Sequence, residues 1–265
     1  MKNQQANRVF SSKQAAKKDI AGMLWPTLGA TALFLLPMAL ISAALAAACG
    51  GVDMEAVSKL TDKQVATYLA AYFLAHLFLV QPLYCGLTQF YALQRAGVRP
   101  SVSTVTVCLS SFREYVRSLQ LALVIWLFTV LWSIPLAIAC GAGFALYTFL
   151  LPNGFGMFLC IEIVLLSLIA YISKMMQYHC AYALVMEQPD MGCWEAVRLA
   201  ARKFRGHSGE MFRLTASFTL WFLMTVLIGG ILLIIVFPYF LLSVYHLFDR
   251  VRGVQIKVVQ QEVVE

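Results

Sequence analysis

Charged side chains are scarce in this 265-residue sequence. Asp, Glu, Lys and Arg make up 12% of the residues and hydrophobic residues 61%, whereas an ordinary soluble domain has about 25% charged and roughly 45–50% apolar residues. Intrinsic disorder is excluded, because it requires low hydrophobicity and high charge. The composition also argues against a soluble globular protein.

Motifs for known chemistry are lacking as well. The sequence contains no HExxH, GxSxG or Walker-type loop, and its seven cysteines include no CxxC pair and no Cys/His set at zinc spacing. We therefore expect no enzyme, no metal site and no cofactor. Whether Cys140 and Cys160 form a disulfide stays open, because sequence spacing says nothing about Cβ geometry.

Long uncharged stretches are what the sequence does contain. Residues 20–52, 64–94, 118–161 and 214–248 carry no Asp, Glu, Lys or Arg, and a membrane-spanning helix needs only about 20 apolar residues. The last two stretches exceed one span and are divided by the turn signals Pro152-Asn153-Gly154 and Gly229-Gly230.

This division predicts an all-α, polytopic membrane helix bundle that forms a single integral membrane domain. Its six transmembrane helices are arranged as three hairpins. A re-entrant pair in place of the last two spans is the alternative. The predicted spans cover about 21–49, 65–93, 118–140, 157–178, 212–228 and 231–248.

Basic residues alternate between the predicted sides. Of the 20 Lys and Arg residues, 17 lie in the arm 1–20, in 95–117, in 187–213 and in the tail 249–265. Only Lys59 and Lys63 lie on the opposite side. The positive-inside rule then places both termini in the cytoplasm. The net charge of +7 is a topology signal that suits anionic lipid headgroups, and nucleic-acid binding is not expected.

Two cytoplasmic segments have helix signals. Ser11 and Gln14 have capping-box spacing, which predicts that a short helix starts there and leads into the first span. Within 187–211, Asp190 is the expected N-cap of an amphipathic helix that lies on the membrane surface or docks on a protein. The predicted lipid- or partner-contacting residues are Trp194 on its apolar face and the stripe Arg198, Arg202 and Arg205.

A few polar residues interrupt the apolar stretches. His76 and Gln81 are five residues apart, near one helix face. With Glu162 they are candidates for a membrane-embedded polar site, and an ordinary interhelical hydrogen bond is the alternative. Lys174 is expected to snorkel to the inner interface, where His246 and Asp249 are expected to be solvated. The candidate hinges are Pro37, Pro82 and Pro238.

The second half of the sequence resembles a known family. Tyr182-Ala-Leu-Val-Met-Glu-Gln-Pro189-Asp190, Gly206-His207, Ser217-Phe218 and Pro238-Tyr239 are similar to the pattern of the bacterial domain-of-unknown-function 975 family. The resemblance implies a multi-pass protein of the bacterial cytoplasmic (inner) membrane. It supplies no activity, substrate or site.

Two functions follow as hypotheses. The first is a non-enzymatic accessory or scaffold protein that binds a membrane-protein partner, a second copy of itself or anionic lipid. The second is a small-solute or lipid transporter with a polar cavity near His76, Gln81 and Glu162.

Overall fold

The computed structural model describes residues 2–48, 61–188 and 190–253. These residues form helices joined by short turns, with no β-strand among them. The predicted end of the first span at residue 49, Pro189 and the tail beyond 253 lie outside the described residues. The helices are α1 (Lys2–Gly22), α2 (Leu24–Ala48), α3 (Asp62–Ala75), α4 (Gln81–Arg95), α5 (Val107–Ser110), α6 (Phe112–Ala145), α7 (Gly154–His179), α8 (Ala181–Glu187), α9 (Cys193–Lys203), α10 (Ser208–Leu227) and α11 (Leu233–Arg252).

Six helical stretches are long and apolar enough to cross a membrane, which confirms the predicted number. They are Leu24–Ala48, Asp62–Arg95, Phe112–Leu150, Gly154–Glu187, Ser208–Leu227 and Leu233–Arg252. In the first five, a third or less of the most apolar window is buried in the protein, against 67% in the last. The exposed apolar side chains of the five need a hydrocarbon solvent, because water would penalise so large an apolar surface.

The described chain divides into two compact units. One contains residues 2–18 together with 123–188 and 190–253, and the other contains 19–48 and 61–122. In the first unit, α10 packs against α7 and α11. Gly229 and Gly230 form the turn between α10 and α11 with φ angles of +67° and +86°, a conformation that side chains with a Cβ disfavour. The predicted break of the last apolar stretch at these glycines is confirmed.

In the second unit, a short connecting segment packs tightly on a membrane helix. The 3₁₀ turn Val102–Thr106 lies against α4 and α2. Gly86 on α4 lets the backbones approach, since a Cβ built on it would lie 2.0 Å from the Val105 carbonyl oxygen. Val105 and Cys108 are consequently buried. A glycine thus anchors a segment that the sequence indicates only as a loop followed by a helix start.

Two predictions about helix starts are wrong. The N-terminal helix starts at Lys2, and the Ser11 hydroxyl donates to the Asn7 carbonyl within it, because a serine inside a helix bonds back to the preceding turn. The N-cap of α9 is Gly192 rather than Asp190. Helical structure also extends past the predicted third span, because α6 continues to Ala145 and a π-helical turn follows to Leu150.

We predict that Gly86→Ala destabilises the protein strongly, by about 1–3 kcal/mol in unfolding free energy or more, because the new methyl group forces Val102–Thr106 away from α4. Thermal and denaturant unfolding in detergent micelles measure the change. Gly141→Ala is the matched control, since no described atom lies within 4 Å of its Cβ position. Alanine at that position improves helix propensity by up to about 1 kcal/mol. Equal losses for both variants would contradict the close-approach explanation.

Candidate functional site

The predicted polar pair lies at an interruption of a membrane helix. Between α3 and α4 the backbone forms the π-helical turn His76–Val80, in which the Gln81 amide donates to the His76 carbonyl. A π-turn places residues five apart on one face. The Gln81 side-chain amide nitrogen Nε2 consequently lies 3.4 Å from His76 Nδ1. The structure therefore brings His76 and Gln81 together as hydrogen-bonding neighbours.

Pro82 accounts for the interruption. Proline has no amide hydrogen, so residue 82 cannot donate to the carbonyl of Phe78 four residues earlier. The Tyr115 hydroxyl, at the start of α6 in the same unit, donates to the Phe78 carbonyl at 3.0 Å. A side chain from another helix thus donates to a backbone acceptor of the π-helical turn. Tyr115 was not predicted, because the sequence pattern around Pro82 does not reveal which helix lies beside it.

The other predicted polar and hinge residues lie elsewhere. Glu162 is half-buried on α7, in the other unit. Pro37 lies inside α2 and Pro238 inside α11. Pro238 is buried beside an aromatic group in which Phe218 contacts Phe240 with ring centroids 5.2 Å apart. Of the three predicted hinges, Pro82 alone lies at a break in the described helices.

The amphipathic helix α9 is packed on the protein itself. It contacts α7 and α8, and Val197, Ala200 and Phe204 on its apolar face are fully buried. The indole of Trp194 lies 5.3 Å from the Phe128 ring, between centroids, while 48% of the Trp194 residue stays exposed. The apolar face of α9 is therefore occupied by the same unit.

Arg198, Arg202 and Arg205 form the arginine stripe on the outer side of this region, and all three are exposed. Among the described residues, none forms an ion pair or a hydrogen bond with these three guanidinium groups. Arg202 also lies in the last turn of α9, where a cation interacts favourably with the helix dipole. The stripe thus presents uncompensated positive charge from a helix that is held in place by its buried face.

The N-terminal helix carries a second group of basic residues, of which Arg8 is paired with a carboxylate. Glu210 is almost fully buried on α10, and its Oε1 lies 3.5 Å from Arg8 Nη1 and 3.0 Å from His207 Nδ1. Lys13 Nζ donates to Ser217 Oγ at 3.1 Å, and burial lowers the pKa of the Lys13 ammonium from its usual value. The sequence signal that could have indicated this docking is the helical spacing of the buried Val9, Ser12 and Ala16.

A third cluster of charged side chains holds the C-terminal end of α11 in place. Arg252 Nη1 and Nη2 donate to the Glu187 carboxylate at 2.6 and 3.0 Å, and Nη2 also bonds to Asp249. The expectation that His246 and Asp249 are solvated is wrong: both are buried. A buried carboxylate needs a partner, and Arg252 supplies one to Asp249.

The potential metal ligands and the thiol groups of the described residues can be located directly. Within residues 2–48, 61–188 and 190–253, no three His, Cys, Asp or Glu residues lie close enough together to hold a metal ion. Cys140 and Cys160 are free thiols. The buried thiols of Cys85 and Cys108 lie near each other, a proximity that the sequence pattern does not indicate.

The chain was compared with models of known protein families. Residues 12–255 match the family described as "Protein of unknown function (DUF975)". The chain belongs to the DUF975 family. The match spans both units of this DUF975 protein and confirms the resemblance found in its second half. Among curated proteins and among solved structures, none matches the chain.

We predict that Tyr115→Phe lowers the unfolding free energy of this DUF975 protein by about 0.5–1.5 kcal/mol, because the Phe78 carbonyl loses its donor. The same substitution costs less in a Pro82→Ala background, where the amide of residue 82 can donate. Unfolding of the two single variants and the double variant in detergent measures the coupling. Tyr147→Phe is the control, since the Tyr147 hydroxyl makes no hydrogen bond to a described residue. Equal losses in both backgrounds would show that Tyr115 does not replace the missing amide.

Proposed function

We propose that this DUF975 protein is a non-enzymatic membrane protein that binds anionic lipid headgroups, or an acidic surface of a membrane partner, through the arginine stripe. The observation that carries the proposal is the display of Arg198, Arg202 and Arg205 on a helix whose apolar face is already buried. Guanidinium groups without an acidic partner favour phosphate or carboxylate ligands. The basic surface of α1, in contrast, is used internally by Glu210.

The proposed setting is the bacterial cytoplasmic membrane. The chain crosses it six times as three hairpins, with both termini in the cytoplasm. The 17 basic residues on the inner side and the two on the outer side support this orientation. The stripe then faces the inner leaflet. Attraction to the anionic lipids of that leaflet contributes about 1 kcal/mol of binding free energy for each Lys or Arg near the surface.

A transport function is the second proposal, and the π-helical turn at His76 favours it. Transporters place their binding sites at interrupted membrane helices, where freed backbone groups and polar side chains meet, and π-turns are frequent at functional sites. His76 and Gln81 meet at such a turn, so a proton or a small polar solute is the ligand that this pair would handle.

The arginine stripe is tested by charge reversal. We expect the triple variant R198E/R202E/R205E to bind anionic lipid about a hundredfold more weakly than the wild type, because three contributions of about 1 kcal/mol are lost. Native mass spectrometry of the full chain in detergent, titrated with phosphatidylglycerol, measures binding. Replacing all three by lysine preserves the charge and is expected to preserve binding. Lys63→Glu, on the proposed outer side, is the single-site control. Unchanged lipid binding by the triple variant would contradict the lipid proposal.

The transport proposal is tested with protons as the probe. In proteoliposomes that contain a pH-sensitive dye, we expect the wild type to dissipate an imposed pH gradient faster than His76→Ala or Gln81→Ala. Gln14→Ala removes the same amide from an exposed position of α1 and is expected to behave as the wild type. Equal rates for the wild type and for protein-free vesicles would count against proton transport.

A further inference from the structure

A narrow apolar groove runs between α6 and α7. Helix α6 contributes Trp132, Pro135, Leu136 and Ala139, and α7 contributes Ser167, Ala170 and Tyr171. Its volume is about 180 Å³. Pockets for drug-sized ligands have roughly 300–1,000 Å³, so the groove is too small for a compact solute of that size. It suits a thin apolar chain instead.

In the predicted topology, the open side of the groove faces the hydrocarbon layer of the membrane. Pro135 and Ala170 are exposed on its rim, and the predicted spans 118–140 and 157–178 place the lining residues within the hydrocarbon layer. From Ala139 to Trp132 the groove covers seven residues of helix, or about 10 Å at 1.5 Å per residue. This length accommodates one segment of an acyl chain.

Lys174 stands at one end of the groove, on the turn of α7 that follows Tyr171. Its Nζ lies 5.3 Å from the ring centroid of Trp132 and 5.6 Å from that of Tyr178. The indole nitrogen of Trp132 donates to the Tyr178 hydroxyl at 2.9 Å, so the two rings support each other. Cation–π contacts hold the ammonium group in place without neutralising its charge.

The polar acceptor of Lys174 is also neutral. Its Nζ donates to the Gln177 side-chain oxygen at 3.1 Å, and no carboxylate among the described residues forms an ion pair with it. Glu162, on the same helix, is 12 residues away, or about 18 Å along the axis. An ammonium group at this depth is costly unless an anion pairs with it. The structure therefore presents a cation without its counter-ion beside an apolar groove.

We propose that this groove is a binding site for one anionic phospholipid of the inner leaflet, with an acyl-chain segment between α6 and α7 and the phosphate at Lys174. The predicted fourth span ends at about residue 178, so Lys174 lies near its inner end, where an ammonium group can snorkel to a headgroup phosphate. The site shares no residue with the arginine stripe and does not depend on it.

The test uses the full chain in detergent, titrated with phosphatidylglycerol and followed by native mass spectrometry. In the R198K/R202K/R205K background, which keeps the charge of the stripe, we expect Lys174→Gln to weaken the tightest single-lipid binding step about tenfold, because a charge-assisted hydrogen bond to phosphate is lost. Lys174→Arg retains the step. Lys13→Gln is the matched control, because Lys13 has the same type of environment, with its Nζ 4.7 Å from the Phe218 ring centroid and bonded to Ser217.

The acyl-chain half of the site is tested on its own. Ala139→Phe fills the groove and is expected to weaken the same binding step, whereas Ala137→Phe, two residues earlier and exposed, is expected to leave it unchanged. Helix content by circular dichroism and the thermal midpoint identify a variant that fails to fold. Ala170→Phe, on the opposite wall, replaces Ala139→Phe in that case.

Three outcomes would overturn the proposal. The first is Lys174→Gln binding phosphatidylglycerol as tightly as Lys13→Gln. The second is equal binding by the groove-filling variants and Ala137→Phe. The third is binding of glycerol phosphate, which has no acyl chain, or of zwitterionic phosphatidylcholine as tightly as phosphatidylglycerol. If R198E/R202E/R205E binds fewer lipids but keeps the Lys174-dependent step, lipid binds at both sites. If only Lys174→Gln loses a binding step, lipid binds in the groove and not at the arginine stripe.

Discussion

The cost of leaving a polar group without a partner in hydrocarbon governs the structure of this DUF975 protein. Each backbone carbonyl and each charge at membrane depth needs a hydrogen bond or a counter-ion, because the bilayer core offers no water. At Pro82 the missing amide is compensated by the Tyr115 hydroxyl. At Lys174 the protein supplies two aromatic rings and a neutral amide, and we propose that a lipid phosphate balances the charge.

The same requirement explains why its two basic surfaces differ. The N-terminal helix turns Arg8 toward a buried carboxylate, Glu210, so that charge is used within the fold. Helix α9 buries its apolar residues and keeps its arginines outside. A cation that already has an acidic partner gains little from a lipid phosphate, whereas an exposed guanidinium can gain a full charge-assisted contact. This difference is the reason why lipid binding is proposed for the arginine stripe.

Sequence reasoning predicted the parts that depend on local composition. The six apolar stretches, the break at Gly229-Gly230 and the exposure of Arg198, Arg202 and Arg205 follow from hydropathy, turn chemistry and helical periodicity. It failed at the helix starts near Ser11 and Asp190. Residue spacing identifies a possible capping residue, but it does not show whether the helix begins earlier or later in the chain. It also failed for Asp249, whose burial depends on Arg252 and on Glu187, 62 residues earlier in the chain.

By itself, the sequence determined that the chain belongs in a membrane and where its apolar helices lie, because those properties are sums over neighbouring residues. Tertiary structure alone decided which polar groups meet. The hydroxyl of Tyr115 reaches a carbonyl 37 residues away, Glu210 pairs with an arginine near the N-terminus, and Lys174 lies beside Trp132 at the end of a groove. Such pairings depend on how helices distant in sequence pack together. Composition and periodicity within one helix carry no information about the side chains of its neighbour.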